Sequence, residues 1–115
     1  MESVAEALIV KALDGLAMRS SVTAQNIANA NTEGYRPMAV SFEEALAEAA
    51  PRGMDAIRAV APRVDYAPVR PEASGAMRLD LEIATAAGTS TRYSALVEML
   101  NRQLQLKSLA VTGGR

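Results

Sequence analysis

The sequence predicts a mainly α-helical protein: an antiparallel coiled coil of N- and C-terminal helices with an irregular, partly extended or disordered centre. Two observations lead to this prediction. Four of the five prolines fall between residues 51 and 71, so both ends of the chain lack the residue that breaks helices. Apolar residues at both ends recur at spacings of three and four, which is the period of an amphipathic helix. We therefore divide the chain into an N-terminal helix (1–32), a centre (33–78) and a C-terminal helix (79–115).

The first helix is predicted over residues 3–30, where large apolar side chains repeat along one face. Ala, Glu, Gln and Met fill the intervening positions, and these residue types have high helix propensity. The residues that set the period are Val4, Leu8, Ile9, Leu13, Leu16 and Ile27.

The centre begins with a short extended segment, because apolar residues alternate from Met38 to Phe42 after a proline. Ser41 and Glu44 have the spacing of a capping box, which predicts a short helix that must end before Pro51. Residues 51–76 show no sustained period. We expect them to form a loop or a small β-excursion, or to be disordered in the free protein.

The C-terminal helix has the clearest period, since its apolar positions alternate in steps of four and three like a coiled-coil seam. Asp80 is the predicted N-cap, and Gly113 and Gly114 are the predicted terminators. Gly88 is expected to weaken or bend the helix. The predicted seam consists of Leu79, Ile83, Ala86, Ser90, Tyr93, Val97, Leu100 and Leu104.

The two helices match when they are aligned antiparallel with facing residue numbers that sum to about 111. Together they carry 12 of the 25 charged residues on 69 of the 115 residues, too few for helices exposed to water on one side. We therefore expect other chains to complete their burial. The facing apolar pairs are Ile9 with Leu104, Leu16 with Leu96, and Ile27 with Ile83.

Composition excludes several classes of function. The chain has no His and no Cys, which removes zinc sites, thiol nucleophiles, Ser–His relays and disulfides. Its net charge of −1 offers no electrostatic surface for nucleic acid. No segment is apolar for long enough to span a bilayer, and Glu2 and Glu6 stand where a secretory signal carries basic residues. We predict no enzyme activity, cofactor, metal, nucleic acid or small-molecule substrate, and no membrane-spanning segment.

Three of the four Asn residues lie within six positions, in the segment NIANANTEGY from Asn26 to Tyr35. Asn is unfavourable inside helices, so this segment predicts a helix end with outward amide groups suited to bonding another backbone. Asn31 and Thr32 can satisfy the last helical carbonyls or the following turn, and Gly34 supplies the positive φ that reverses the chain. The simpler alternative is an ordinary helix stop in which Asn is only a local cap.

The same segment, extended to NIANANTEGYR, resembles the N-terminal motif of the bacterial flagellar rod and hook proteins. The stretch from Leu79 to Val111 is similar to the C-terminal helix of that family. Residues that flank the N-terminal motif also match the family, namely Leu13, Leu16, Gln25, Val40, Phe42 and Leu46. The short length and one C-terminal pattern are most similar to the proximal rod subunit, that pattern being Tyr93, Leu96, Leu100, Asn101, Leu104 and Leu109.

The resemblance implies a structural subunit of the flagellar basal-body rod, which polymerises through its terminal helices in the drive shaft that transmits torque. Such subunits reach the periplasmic rod by flagellar type III export, without a cleaved signal peptide. The implied partners are other rod subunits and the inner-membrane ring or export gate. The implied assembly interface consists of Leu13, Leu16, Asn26, Ile27, Asn29, Asn31, Thr32, Gly34, Tyr35, Tyr93, Leu96, Val97, Leu100 and Leu104.

Two other functions compete with this one. A soluble helical-hairpin adaptor or secretion chaperone would use the same apolar seam for one cytoplasmic partner. A small enzyme could use Glu44 and Glu48, one helical turn apart, together with Glu43. A solvated helix face explains these three carboxylates better, since no other residue completes a site.

Overall fold

The computed structural model describes residues 2–69 and 75–113. Helix makes up 74% of the structure, so the prediction of a mainly helical chain with long terminal helices is confirmed. Residues 70–74 of the predicted centre and the predicted terminator Gly114 lie outside the described residues. The elements are α1 (Val4–Ala28), β1 (Met38–Ser41), α2 (Glu43–Ala49), a 3-10 turn (Ala50–Arg52), α3 (Met54–Ala59), β2 (Arg63–Tyr66) and α4 (Gly75–Gly113).

Helix α1 begins at Val4 because Ser3 caps it, with the Ser3 Oγ accepting a hydrogen bond from the Glu6 amide at 3.1 Å. It ends at Ala28, two residues before the predicted end. Gly15 is buried in its middle, beneath the Phe42 ring, which occupies the space that a Cβ would need. Glycine therefore allows the ring to approach the helix backbone.

The hydrophobic core lies where the middle of α1 meets the elements of the centre. Leu16 of α1 is 3% exposed, and Ile57 of α3 is fully buried. From α4, the half-buried Leu96 packs against the same cluster. The buried core residues are Ala7, Leu16, Val40, Phe42, Leu46, Ala49 and Ile57.

The two short strands form one antiparallel sheet in which Met38 faces Tyr66 and Ser41 faces Arg63. Strand β1 is the extended segment that the alternation predicts. For residues 51–76 the prediction left open a loop or a small β-excursion, and strand β2 is the β-excursion. Three short helical elements, rather than a tight turn, connect the two strands.

The predicted capping box is wrong. Ser41 is the last residue of β1, and the N-cap of α2 is Phe42, which makes no side-chain capping bond. The Phe42 ring is buried in the core, and its carbonyl accepts a hydrogen bond from the Leu46 amide at 2.9 Å. Burial of the ring therefore sets the start of α2.

Helix α3 contradicts the prediction that residues 51–76 lack regular helix. It has only six residues, too few to show a period, and it starts after Gly53, which has a φ of 98°. Ile57 is the one buried residue of α3, so the amphipathic character of this helix depends on that side chain.

Helix α4 starts before its predicted N-cap, so Asp80 lies inside the helix. The helix continues through Gly88 to Gly113, the last residue that the structure describes. One glycine costs about 1 kcal/mol relative to Ala, which many other helical residues offset.

Helices α1 and α4 pack antiparallel along the molecule, which measures 64 × 25 × 18 Å. Asn26 bonds to Glu82, and Glu6 bonds to Lys107. These pairs sum to 108 and 113, against the predicted value of about 111. The antiparallel alignment agrees with the prediction, whereas interdigitated coiled-coil packing stays a prediction.

Candidate assembly interface

Asn26 organises the junction between α1, the turn, β1 and α4. It is 4% exposed, and its amide nitrogen donates to the Met38 carbonyl at 2.8 Å and to Glu82 Oε2 at 3.1 Å. Its amide oxygen accepts from the Tyr35 hydroxyl at 2.8 Å and from the Met38 amide at 3.0 Å. Both donors and both lone pairs of the amide are thus used within the chain. The expectation of an outward amide is wrong for Asn26, because strand β1 takes its hydrogen bonds.

Arg19 makes a second set of contacts to the same strand. Its guanidinium donates to the Val40 carbonyl at 2.7 Å and to both carboxylate oxygens of Glu43, at 2.6 and 2.7 Å. It also lies over the Phe42 ring, 4.9 Å from the ring centre. Its hydrogen bonds hold the pKa of Glu43 below the ordinary value. Asn26 and Arg19 therefore bind three backbone groups of β1, the amide and carbonyl of Met38 and the carbonyl of Val40, on the edge where a third strand would otherwise pair.

The turn after α1 has the predicted positive φ at Gly34 and a bond from Thr32 within the turn, but Asn29, rather than Asn31 or Thr32, satisfies a last helical carbonyl. Asn29 is the C-cap, and its side-chain nitrogen donates to the Gln25 carbonyl at 2.9 Å. The Thr32 hydroxyl donates to the Asn29 side-chain oxygen at 3.1 Å, and Gly34 has a φ of 80°. Asn29 therefore acts as a local cap, as the simpler alternative proposed.

The face of α4 that packs on α1 is partly polar. Glu82 binds Asn26 near one end of α1, and Lys107 binds Glu6 at 3.4 Å near the other end. Thr89, between them, is 4% exposed. Two polar contacts therefore fix the rotation of α4 about its own axis.

The face of α4 that packs on α1 differs from the predicted seam. At every second position of the seam, the residue just before the predicted one is the buried or half-buried residue. Glu82, Thr89, Leu96 and Gln103 are buried or half-buried. Four of the eight predicted seam residues are exposed, namely Ile83, Ser90, Tyr93 and Leu104. The predicted apolar pairs Ile9 with Leu104 and Ile27 with Ile83 therefore leave at least one member exposed in each case.

As a consequence, α4 presents large apolar side chains to solvent along its whole length. Leu104 is 47% exposed and Leu109 is 66% exposed. Exposed apolar patches of this kind mark surfaces that bind other proteins. The exposed large apolar residues of α4 are Leu81, Ile83, Tyr93, Met99, Leu104, Leu106, Leu109 and Val111.

The structure places the 14 residues of the predicted interface in three environments. Leu16 and Asn26 are buried within the chain. Seven others are half-buried, namely Leu13, Ile27, Asn29, Tyr35, Leu96, Val97 and Leu100. Five are exposed, namely Asn31, Thr32, Gly34, Tyr93 and Leu104.

Two residues that organise this region were not singled out as functional from the sequence. Arg19 could have been identified from the sequence, because it is the only charged residue between Asp14 and Glu33 on an apolar helix. No feature of the sequence identifies Glu82, since a carboxylate beside the predicted seam is typical of a solvated position.

Neither a membrane helix nor a metal centre is found in the part of the chain that the structure describes. None of its helices there is both long and apolar enough to cross a bilayer. Its acidic side chains, over residues 2–69 and 75–113, form no group of three or more that could hold a metal ion.

Fold and surface together define a class of protein: an elongated pair of antiparallel helices that leaves an apolar helix face exposed. Residues 10–36 match the profile of the family described as flagella basal body rod protein. The match confirms the resemblance to basal-body rod proteins, and this family is structural rather than enzymatic. It covers the segment of α1 that carries Arg19 and Asn26 and the turn up to Arg36. No curated protein sequence matches the chain.

Proposed function

We propose that this chain is a structural subunit of the flagellar basal-body rod and that it polymerises through its two terminal helices. The observation that carries the proposal is the rotation of α4. Its polar contacts with α1 point inward, while Ile83, Tyr93 and Leu104 face solvent. A helix of this length with an uncovered apolar face is suited to packing among neighbouring subunits.

The energetics favour assembly through this face. Removing a half-exposed Leu, Ile or Met side chain from water contributes roughly 1 kcal/mol. Eight such side chains on α4 therefore offer roughly 8 kcal/mol per subunit, which the costs of association reduce. This gain is of the same order as the cost of association, so a subunit needs contacts with several neighbours, as a polymer provides.

The predicted interface residues divide between two roles in this proposal. Tyr93 and Leu104, with the half-buried Val97 and Leu100, contact neighbouring helices directly. Asn31, Thr32 and Gly34 form an exposed polar turn that contacts a neighbouring backbone. The others act mainly inside the chain, where they hold the turn and α4 in place, and these are Leu13, Leu16, Asn26, Ile27, Asn29, Tyr35 and Leu96.

Location and partners follow from the resemblance to the proximal rod subunit. We infer a position in the proximal rod, beside the inner-membrane ring or export gate, where the subunit transmits torque. We also infer type III export without a cleaved signal peptide. Coiled-coil packing of α1 and α4 would then be completed in the assembled rod, where neighbours cover the apolar face.

The proposal is tested by placing one charge on the exposed face of α4. Leu104→Asp is expected to abolish rod incorporation, because a carboxylate would be buried without a partner among neighbouring helices. The variant chain replaces the wild-type copy in its own bacterium, and swimming in soft agar and the subunit content of purified basal bodies are measured.

Gln105→Asp is the matched control, since it adds the same charge to the next residue, which is also exposed but polar. It should leave incorporation unchanged, and circular dichroism should show equal helix content in both purified variants. Wild-type swimming and incorporation of Leu104→Asp would contradict the proposal. Retention of the wild-type chain in the cytosol, absent from basal bodies, would favour the chaperone alternative.

A further inference from the structure

A groove of about 850 Å³ lies between α4 and the segment formed by the turn after α1 and the small sheet. Four arginines line it, namely Arg19, Arg36, Arg78 and Arg92, whereas Glu82 is the carboxylate among its lining residues. Alanine and glycine, including Ala84 and Gly88 of α4, leave the groove open. Its lining is therefore basic, and it also contains apolar side chains such as Tyr35 and Leu81.

Two of these arginines already have partners within the chain. Arg19 is paired with Glu43, and Arg36 lies over the Tyr66 ring, 4.0 Å from the ring centre. Arg78 and Arg92 are exposed and make no hydrogen bond or ion pair with another residue of the ranges 2–69 and 75–113. Among the residues that the structure describes, positive charge in the groove thus exceeds negative charge.

A second, apolar hollow of about 610 Å³ shares Arg92 with the groove. Leu16, Phe42 and Leu96 form its walls. A partner that fits both parts needs carboxylates for the basic part and small apolar groups for the rest. It must also be a short segment, because the groove is bounded by the sheet on one side.

The chain itself carries a segment of this kind on the outside of α2. Glu44 and Glu48 are exposed, one helical turn apart, and make no ion pair with the other described residues. Ala45 and Ala47 are exposed beside them. Neither glutamate lines the groove of its own chain.

We propose that the arginine groove of one copy binds the outer face of α2 of a second copy. Arg78 and Arg92 of the first copy are about 21 Å apart along α4, so their extended side chains reach Glu44 and Glu48 of the second copy from the two ends of α2. Ala45 and Ala47 then face the small residues of the groove. Carboxylate–guanidinium pairs of this kind set orientation and specificity.

This contact joins two different surfaces of the chain, the arginine groove and the outer face of α2. Each copy can therefore bind one neighbour through its groove and another through α2, so the assembly does not close on itself. Heterologous contacts of this type generate open helical assemblies. The inference rests on the proposed function, since it assigns one contact between neighbouring subunits. Of the exposed apolar residues of α4, Leu81 lines the groove, whereas Ile83, Tyr93 and Leu104 do not. Both contacts can therefore form at once.

Disulfide trapping tests the pairing directly, because the chain has no cysteine of its own. One purified copy carries Arg92→Cys and a differently tagged copy carries Glu48→Cys. Mild oxidation of the mixture should give a mixed disulfide that contains both tags. A mixture of Gln105→Cys with Glu48→Cys is the control, and it should give at least about tenfold less product, since Gln105 does not line the groove.

Charge reversal gives the second measurement, by sedimentation velocity of the full chain at low and high salt. Arg78→Glu with Arg92→Glu should weaken self-association at least about tenfold, and Glu44→Arg with Glu48→Arg should do the same. The chain with all four substitutions should regain most of the affinity, because the charges are again complementary. All four charged side chains changed in these variants are exposed, so circular dichroism should remain unchanged.

The results separate this inference from the proposed function. Absence of the mixed disulfide, failure of the fourfold variant to recover, or a wild-type chain that stays monomeric would overturn the groove contact. Cross-linking of Arg92→Cys to a different basal-body protein, and not to a second copy, would also overturn it. The behaviour of Leu104→Asp in basal bodies tests the proposed function independently of these results.

Discussion

Asn26 shows how one polar side chain can connect three parts of a fold. Its four hydrogen bonds reach the turn, both polar groups of Met38 in β1, and Glu82 in α4. Asn26→Ala is expected to lower the free energy of unfolding by about 3 kcal/mol, because several part-buried groups would lose their partner. Urea unfolding followed by circular dichroism measures this change.

Asn29→Ala is the matched control for Asn26, because it removes the same side chain one helical turn later. Its two side-chain bonds are exposed, so a loss of about 1 kcal/mol or less is expected. Equal destabilisation by the two substitutions would show that Asn26 is only another local cap.

The pair of Arg19 and Glu43 predicts a pH dependence of stability. Hydrogen bonds from Arg19 lower the pKa of Glu43, so folding favours the ionised carboxylate. The resulting stability is present above the ordinary Glu pKa of about 4.3 and is lost as the pH falls through the lowered pKa of the folded state. Because the Glu43 side chain is 52% exposed, the contribution should be below about 1 kcal/mol.

The measurement compares urea midpoints of wild type and Glu43→Gln between about pH 5 and pH 2. Wild type should lose more stability across this range than Glu43→Gln. Glu98→Gln removes an exposed carboxylate that makes no ion pair with another described residue, and it should follow wild type. An identical pH profile for wild type and Glu43→Gln would contradict the proposed role of the pair.

Among the elements, those that repeat a period over many residues could be predicted from the sequence. Helix α1 and the antiparallel partner α4 follow from spacings of three and four, and β1 follows from alternation after a proline. Helix α3 could not be predicted, because six residues contain too little of a period. The start of α2 was also missed, since burial of Phe42 decides it and burial depends on the whole core.

At the candidate site, the rotation of α4 could not be predicted from the pattern of apolar residues. Apolar spacing placed Ile83 and Leu104 on the inner face, as expected when the monomer alone is considered. The bonds of Glu82 and Lys107 to α1 place partly polar residues there instead. Asn26 was recognised as special, but the direction of its amide depends on the position of β1. Sequence therefore identified which segments form the site, whereas tertiary contacts decided which side chains face outward.

At the scale of the whole molecule, burial is concentrated near the middle and the C-terminal end of α4 is nearly uncovered. From Leu104 to Gly113, Lys107 is half-buried and the other residues are exposed. In α1, by contrast, Gly15, Leu16 and Thr23 are buried. Local opening of a helix requires little free energy where few side chains are packed. The free subunit should therefore be much less stable at the end of α4 than in the middle of α1.

Hydrogen–deuterium exchange of backbone amides tests this gradient by mass spectrometry. In the free subunit, amides of residues 104–113 should exchange at least about 100-fold faster than those of residues 15–23, which corresponds to about 2.7 kcal/mol of local stability. In assembled basal bodies the same C-terminal amides should become protected, because neighbouring subunits cover the apolar face. Residues 15–23 serve as the internal control, since their protection comes from the chain itself. Equal exchange of both segments in the free subunit, or no gain of protection in basal bodies, would show that α4 is not completed by its neighbours.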